Sequence, residues 1–344
     1  MTIGEAIEKH LCCPYDHAPL TVVWKEPDAR GRIFCSQCRR EWAVEEGIPS
    51  LMPDYYYRPA EVRPAVENAA DCLSELATRD RQATVYESLF STEETEIETA
   101  ATLREWRVRA TDVVAELGVG TGRMLSYASR CAAVIGCDYS LDSLKQARRK
   151  GLGNLILVQA DVTLLPLRDD SVDAMLSVGV FQHLPSQALR RRHLEECWRC
   201  LRAGGEYLMS GVYNFRLQDR LRDIQTVYTK DDVHGGADGK TGYHTENRIY
   251  YYNFDIRELR REGVRCFEVL DAFGFLVDIG RVGKVLAFLL GADRADRLWQ
   301  RTVFGRWFGR LLLMRMRKGI GPLHSPRPAF PMVAAGAADR GGMA

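Results

Sequence analysis

The chain is short of net charge, of long apolar runs and of an apolar leader. Lys and Arg number 47 against 46 Asp and Glu, a formal charge of +1 over 344 residues. No overall field of one sign is therefore available to recruit nucleic acid or a lipid surface. The longest apolar stretches, near 282–292 and 311–316, fall short of the roughly 20 residues that a bilayer crossing needs, so no membrane span is expected. Met1–His10 carries no apolar core of a signal peptide, which predicts a cytoplasmic protein. In that compartment the ten cysteines are expected as reduced thiols, some of them on metal, and not as a disulfide framework. One lack is local. No acid occurs between Asp296 and Asp339, while Arg297, Arg301, Arg306, Arg310, Arg315, Arg317 and Lys318 accumulate there, so the carboxyl end is basic.

What is present centres on Val113–Arg123, a short apolar run ending in Glu116 and then Gly118, Gly120 and Gly122. The pattern predicts a buried strand turning sharply into a helix that carries Met124, Leu125, Tyr127 and Ala128. Alternating glycines allow positive φ and let a ligand approach the main chain. Arg123 stands where a dinucleotide fingerprint requires glycine, and no Gly-Lys-Ser/Thr follows, which excludes a P-loop as well. Glu-Leu-Gly-Val-Gly-Thr-Gly resembles the first motif of the class I S-adenosylmethionine-dependent methyltransferases. The resemblance implies an α/β fold, a doubly wound seven-stranded sheet, with S-adenosyl-L-methionine as cofactor at Glu116, Gly118, Gly120 and Gly122.

Later residues fall where that fold needs them. Strands are expected over Asp112–Leu117, Ala132–Cys137, Asn154–Gln159, Val172–Ser177 and Glu206–Val212, with helices starting at Leu141 and at Gln187. Asp138 follows the second strand, where a carboxylate can accept from both ribose hydroxyls, with Tyr139 beside it as a further donor contact. Asp161 follows the third, where it can accept the adenine amine while the Val162 N–H reaches a ring nitrogen. Resemblance also implies a loop at Val180–Pro185 lining the sulfonium and the acceptor, with Phe181 against the donor and Gln182 and His183 toward the acceptor. Tyr86, in Tyr86–Phe90, is implied as a lid residue.

Flanking segments divide the chain further. Residues 1–54 resemble the small zinc-ribbon modules that accompany some methyltransferases. The knuckles are Cys12-Cys13-Pro14-Tyr15-Asp16-His17 and Cys35-Ser36-Gln37-Cys38. Cys35 and Cys38 supply two thiolates, Cys13 a third, and either Asp16 or His17 replaces the absent cysteine to hold a structural zinc; a metal-free ribbon folded on its apolar residues is the alternative. Residues 55–110 are expected as a helical linker and lid, with Glu93, Glu94, Glu96 and Glu98 on a solvated face. The methyltransferase domain is expected over 111–320, with insertions at 213–253 and 276–307, and residues 321–344 as a disordered tail. The first insertion offers Tyr243, His244 and Glu246 as acid/base candidates beside His183. The second reads as an amphipathic pair able to cover an apolar acceptor, join two subunits as a homodimer, or make peripheral contact with anionic lipid.

The expected reaction is in-line displacement at the donor methyl, which needs placement and exclusion of water more than an acid/base triad. The expected acceptor is a small molecule. An RNA base methyltransferase that docks RNA or a partner on its amino-terminal module is the alternative, favoured by the basic carboxyl end and opposed by the neutral total. A non-catalytic S-adenosylmethionine-binding scaffold is the third reading.

Overall fold

A computed structural model describes residues 3–25, 30–57, 69–214, 233–235, 241–244, 249–277 and 288–319. At the amino end, helix α1 (Ile3–His10) precedes strands β1 (Leu20–Lys25), β2 (Arg30–Cys35), β3 (Glu41–Glu45) and β4 (Ile48–Pro49), which pair in chain order as an antiparallel sheet. Glu41-Trp42-Ala43-Val44-Glu45 alternates polar and apolar, and the strand accordingly buries Trp42 and Val44 and exposes the residues between. Three helices follow: the single turn α2 (Asp54–Tyr57), α3 (Ala69–Gln82) and α4 (Thr92–Glu105). The acidic run on α4 is only partly solvated, because Glu98 is buried and paired with Arg123 at 2.7 Å.

The main sheet contains β5 (Val113–Leu117), β6 (Ala133–Asp138), β7 (Leu155–Gln159), β8 (Val172–Val178) and β9 (Leu201–Tyr213), joined by helices α5 (Leu141–Arg148) and α6 (Gln187–Cys200). Strands β5–β8 are short runs buried on both faces, the pattern of a parallel sheet covered by helices. A small sheet of β10 (Val233–Gly235), β11 (Thr241–His244) and β12 (Tyr250–Tyr251) comes next, where an irregular segment was expected. Then follow α7 (Ile256–Gly263), β13 (Glu268–Val277), α8 (Ala292–Arg297), α9 (Val303–Phe308) and β14 (Gly309–Arg317). The strand order is β13-β14-β9-β8-β5-β6-β7, with β14 antiparallel to both neighbours and β5 to β9 parallel. The chain runs outward from β5 to β7 and restarts at β8 on the other side of β5, which opens a crevice at the strands' carboxyl ends.

Two elements depart from expectation. The segment after Gly122 winds as a 3₁₀ helix, Leu125–Arg130; Leu125 and Ala128, three apart, are both buried, the spacing of that tighter helix. Strand β13 runs to Val277, two residues into the expected insertion at 276–307, because β14 offers a partner along that length. The described part of 276–307 lies against α4 and β13, with Arg104 bonded to Asp293 at 3.0 Å and Arg301 to Glu105 at 2.7 Å. It leaves Phe288, Leu289, Val303 and Phe304 exposed. Among the described residues no helix is long and apolar enough to cross a membrane. Residues 321–344 lie outside the described residues.

The amino-terminal module shares its core with the main sheet. Ile7, Leu11, Leu20, Ile33 and Trp42 belong to one apolar cluster with Leu117, Val158, Leu165 and Leu201. Just beyond β4, the Leu51 N–H donates to the Gln159 carbonyl at 2.9 Å and Ser50 pairs with Gln159 in parallel register. The module thus covers the outer edge of β7. Arg168 ties the module to the loop before β8, its N–H donating to the His10 carbonyl at 3.0 Å and its Nε to the Leu11 carbonyl at 3.1 Å, and the fully buried Arg199 holds that loop by donating to the Leu165 and Leu167 carbonyls at 2.9 and 2.6 Å.

Candidate functional site

Three carboxylates meet at the carboxyl ends of β5, β6 and β7, and each is held by backbone or hydroxyl donors. Glu116 is buried and accepts from the Tyr127 hydroxyl at 2.8 Å; burial pushes it up to about 7. Asp138 accepts from the Gly120 N–H at 2.8 Å and the Ser140 N–H at 2.9 Å. Burial raises it to about 6, against the pull of those two donors. Asp161 uses one oxygen to accept from the Thr163 N–H and hydroxyl, both at 2.7 Å, while the Tyr56 hydroxyl donates to the other at 3.2 Å. All three line a single cleft with Gly118, Val119, Gly120, Thr121, Tyr139 and Val162.

The glycines shape that cleft differently. Gly118 has φ +71°, and a Cβ there would stand 2.3 Å from Val180 Cγ2, so no side chain fits. Gly120 has φ +53°, and its missing Cβ would meet nothing within 4 Å, leaving bare main chain for a ligand to approach. Gly122 is not a cleft residue; its space is taken by Leu125 and Lys150.

The opposite wall comes from α3 and from later loops. Arg79 Nη2 donates to His183 Nε2 at 3.2 Å and pairs with Glu75 at 3.2 Å, and the His183 Nδ1–H donates to the Tyr250 carbonyl at 2.9 Å. A guanidinium can only donate and a carbonyl can only accept, so His183 is neutral with its proton on Nδ1. Burial and the Arg79 charge hold it below its usual range, opposed by Glu75. His183 lines the cleft as expected, but Nε2 is already taken; it acts as a tie between α3 and β12 and not as a free base. Tyr86 also lines the cleft, from a 3₁₀ turn at Tyr86–Leu89.

Other expected site residues fall elsewhere. Phe181 is fully buried outside the cleft, against Phe254 at 5.3 Å and His193 at 5.9 Å, because its 3₁₀ turn directs the ring into the core. Gln182 is buried beside it and donates to the Gly211 carbonyl at 3.2 Å. Tyr243 and His244 lie in β11, with side chains outside the described residues, and Glu246 is wholly outside them. No described residue of 276–307 lines the cleft, so that segment does not cover it there. Sequence reasoning missed Tyr56, Cys72, Glu75 and Arg79, all lining residues. Positions 72, 75 and 79 follow one helical face, and that polar stripe was the available signal. His193 was missed too: its Nδ1–H donates to the Val162 carbonyl at 3.0 Å and Nε2 accepts from the Tyr207 hydroxyl at 2.8 Å, bracing the Asp161–Thr163 turn from behind.

A second cluster lies in the module. One ligand atom from each of Cys13, Asp16, Cys35 and Cys38 can be chosen so that all four lie within 4.8 Å of one another. Cys13 Sγ is 3.5 Å from Cys38 Sγ, and Cys35 Sγ stands 3.4 Å from both Asp16 oxygens. Sulfurs bound tetrahedrally at about 2.3 Å would stand about 3.8 Å apart, so three thiolates and a carboxylate fit a closed zinc site. Between the two alternatives for the missing cysteine, Asp16 joins the cluster and His17, at φ +57°, does not. Cys12 is buried toward Arg199 on the other side of the knuckle.

Residues 115–209 match the Methyltransf_11 family model, a methyltransferase domain. The Homo sapiens protein "Probable tRNA methyltransferase 9B" is 31% identical over 121 residues, covering 35% of this chain and 24% of that one. An Arabidopsis thaliana tRNA (carboxymethyluridine(34)-5-O)-methyltransferase is 34% identical over 98 residues, 28% of this chain and 23% of that one. The chain thus spans about a quarter of the length of the curated relatives it matches. A solved Thermotoga maritima S-adenosylmethionine-dependent methyltransferase, a possible histamine N-methyltransferase, is 20% identical and covers 70% of this chain and 97% of its own, with a TM-score of 0.47. The strand order is that of the class I methyltransferase fold, and residues 115–209, which supply much of the cleft, match a methyltransferase domain.

Proposed function

We propose that the protein transfers a methyl group from S-adenosyl-L-methionine to a tRNA. The observation that carries the reading is the convergence of Glu116, Asp138 and Asp161, from three successive strands, on one cleft floored by bare glycine backbone. Asp138 would accept from the ribose hydroxyls and Asp161 from the adenine amine, with the Val162 N–H on a ring nitrogen. Glu116 and the turn from Gly118 to Gly120 would take the amino-acid end, and Tyr86 and Tyr139 would close over the donor. When bound, the sulfonium supplies an activated methyl and its own leaving group. The chain's part would be to hold donor and acceptor in line and keep water out, with Glu75 and Arg79 of α3 lining the cleft. With both His183 nitrogens engaged, no proton transfer through that residue is required.

The relatives' names support an RNA acceptor over the small molecule that composition alone favoured. The run of arginines after Asp296 adds little, because Arg297, Arg301, Arg310, Arg315, Arg317 and Lys318 are each paired with an acid of the same chain. The proposal includes a zinc at Cys13, Asp16, Cys35 and Cys38, closed by four protein ligands and therefore structural. Isotopically labelled donor incubated with the protein, total tRNA and a metabolite extract tests the acceptor. Label in nuclease-sensitive material, lost as salt rises, is expected. Label confined to a small molecule would return the reading to a metabolite acceptor, and donor binding without transfer to either fraction would leave a scaffold.

A further inference from the structure

We infer that Tyr56 is a donor-site residue supplied by the end of the amino-terminal module, and that the metal cluster sets its position, so that metal loading tunes donor affinity. The inference rests on the proposed role of the cleft. Tyr56 lines the cleft and its hydroxyl donates to Asp161 at 3.2 Å, across 105 residues of sequence. Thr163 holds the other oxygen of that carboxylate from within its own turn. Tyr56 thus holds the oxygen that Thr163 does not, and its hydroxyl bears on how the carboxylate is presented to a ligand.

The helix bearing Tyr56 is one turn, too short to hold itself. Its anchors come from the two metal knuckles. The Asp54 N–H donates to the Tyr15 hydroxyl at 2.7 Å, and Arg40 Nε donates to the Asp54 carboxylate at 3.0 Å. Tyr15 sits between Cys13 and Asp16 in the first knuckle; Arg40 follows Cys38 by two residues in the second. The Arg40 guanidinium lies 3.9 Å from the centre of the Tyr15 ring, so the two anchors also grip each other. An ion bound by both knuckles fixes Tyr15 against Arg40, and through Asp54 fixes Tyr56. The ligand atoms of the two knuckles otherwise touch through thiol contacts of 3.4 and 3.5 Å, which are weak beside metal bonds.

The test is calorimetric titration of S-adenosylhomocysteine into the full chain, with zinc content measured and thermal melting as the check on folding. Tyr56→Phe should weaken binding about three- to tenfold, the size of one hydrogen bond. Chelating zinc from the unaltered chain should cost a similar factor, and chelating it from Tyr56→Phe should add little, because both act through one hydroxyl. Asp54→Ala, which alters neither a ligand of the ion nor a residue lining the cleft and removes the carboxylate that Arg40 holds, should reproduce the loss with zinc content unchanged; it carries the test where chelation unfolds the module. Unchanged affinity in both variants overturns the inference, and so do losses from chelation and Tyr56→Phe that multiply in full. Absence of binding by the unaltered, zinc-loaded chain would instead sink the donor-site reading beneath it.

Discussion

The two walls of the cleft are built on different principles. On the donor side, Glu116, Asp138 and Asp161 each end a strand, and the groups that hold Asp138 lie two residues or one glycine turn away. On the other side, Arg79, His183 and Tyr250 come from segments 104 and 67 residues apart, joined by side chains and a carbonyl. Local backbone fixes Asp138 whatever the rest of the molecule does, and of the three carboxylates Asp161 also takes a long-range bond, from Tyr56. The assembled wall keeps its shape only while three elements stay docked, which suits the side that must admit an acceptor.

Four changes would break or sharpen that contrast. Gly120→Arg should have the largest effect, since its side chain enters the open part of the cleft; calorimetry should show donor binding lost while the melting curve stays cooperative. Retained binding would show that the bare backbone is not the approach surface. Asp138→Ala should weaken the donor by about tenfold to a hundredfold, the range for hydrogen bonds to a charged group, and would also leave the Gly120 and Ser140 N–H groups without their acceptor.

Acidity should act on the same wall. Glu116 near 7 and Asp138 near 6 both stand above the unfolded carboxylate range of about 4. The native state therefore holds more protons than the unfolded one between about pH 4 and 7, and these two groups make the ligand-free protein less stable as pH rises through that window. Donor binding, which needs the ionised forms, runs the other way, so donor affinity and the melting shift it produces should both shrink from pH 8 to pH 5. A melting shift independent of pH would remove these carboxylates from the donor's contacts. The smallest effect on donor binding is expected from His183→Gln, at most about twofold, while transfer to the acceptor falls several-fold because the tie between α3 and β12 is loosened. A loss confined to donor affinity would place His183 on the wrong wall.

The donor wall was legible in the sequence because it is local. Glycine alternation at 118 and 120 and an acid at the end of each strand are periodic, short-range signals, and the parallel strands fell within a few residues of their observed bounds, β9 apart. Phe181 was misread because a loop aromatic can turn to either side of a 3₁₀ turn, and the core against Phe254 and His193 took it. Tyr56 carries no local mark at all and Arg79 only the polar stripe of its helix; their roles exist only once β7 and α3 are in place. The zinc-ligand alternatives were open for a similar reason, since Asp16 and His17 are adjacent and only the folded knuckles bring Asp16, and not His17, to the three thiols.

The seam at β7 carries a consequence for how the molecule is made. The module leaves the ribosome before β7 does, yet Ser50 and Leu51 find their partner in Gln159, more than a hundred residues later in the chain. Closing so large a loop is slow relative to the formation of either half. During synthesis, then, β7 waits as a bare ladder edge until the module swings back, and that docking step should set the pace at which the nascent protein becomes competent.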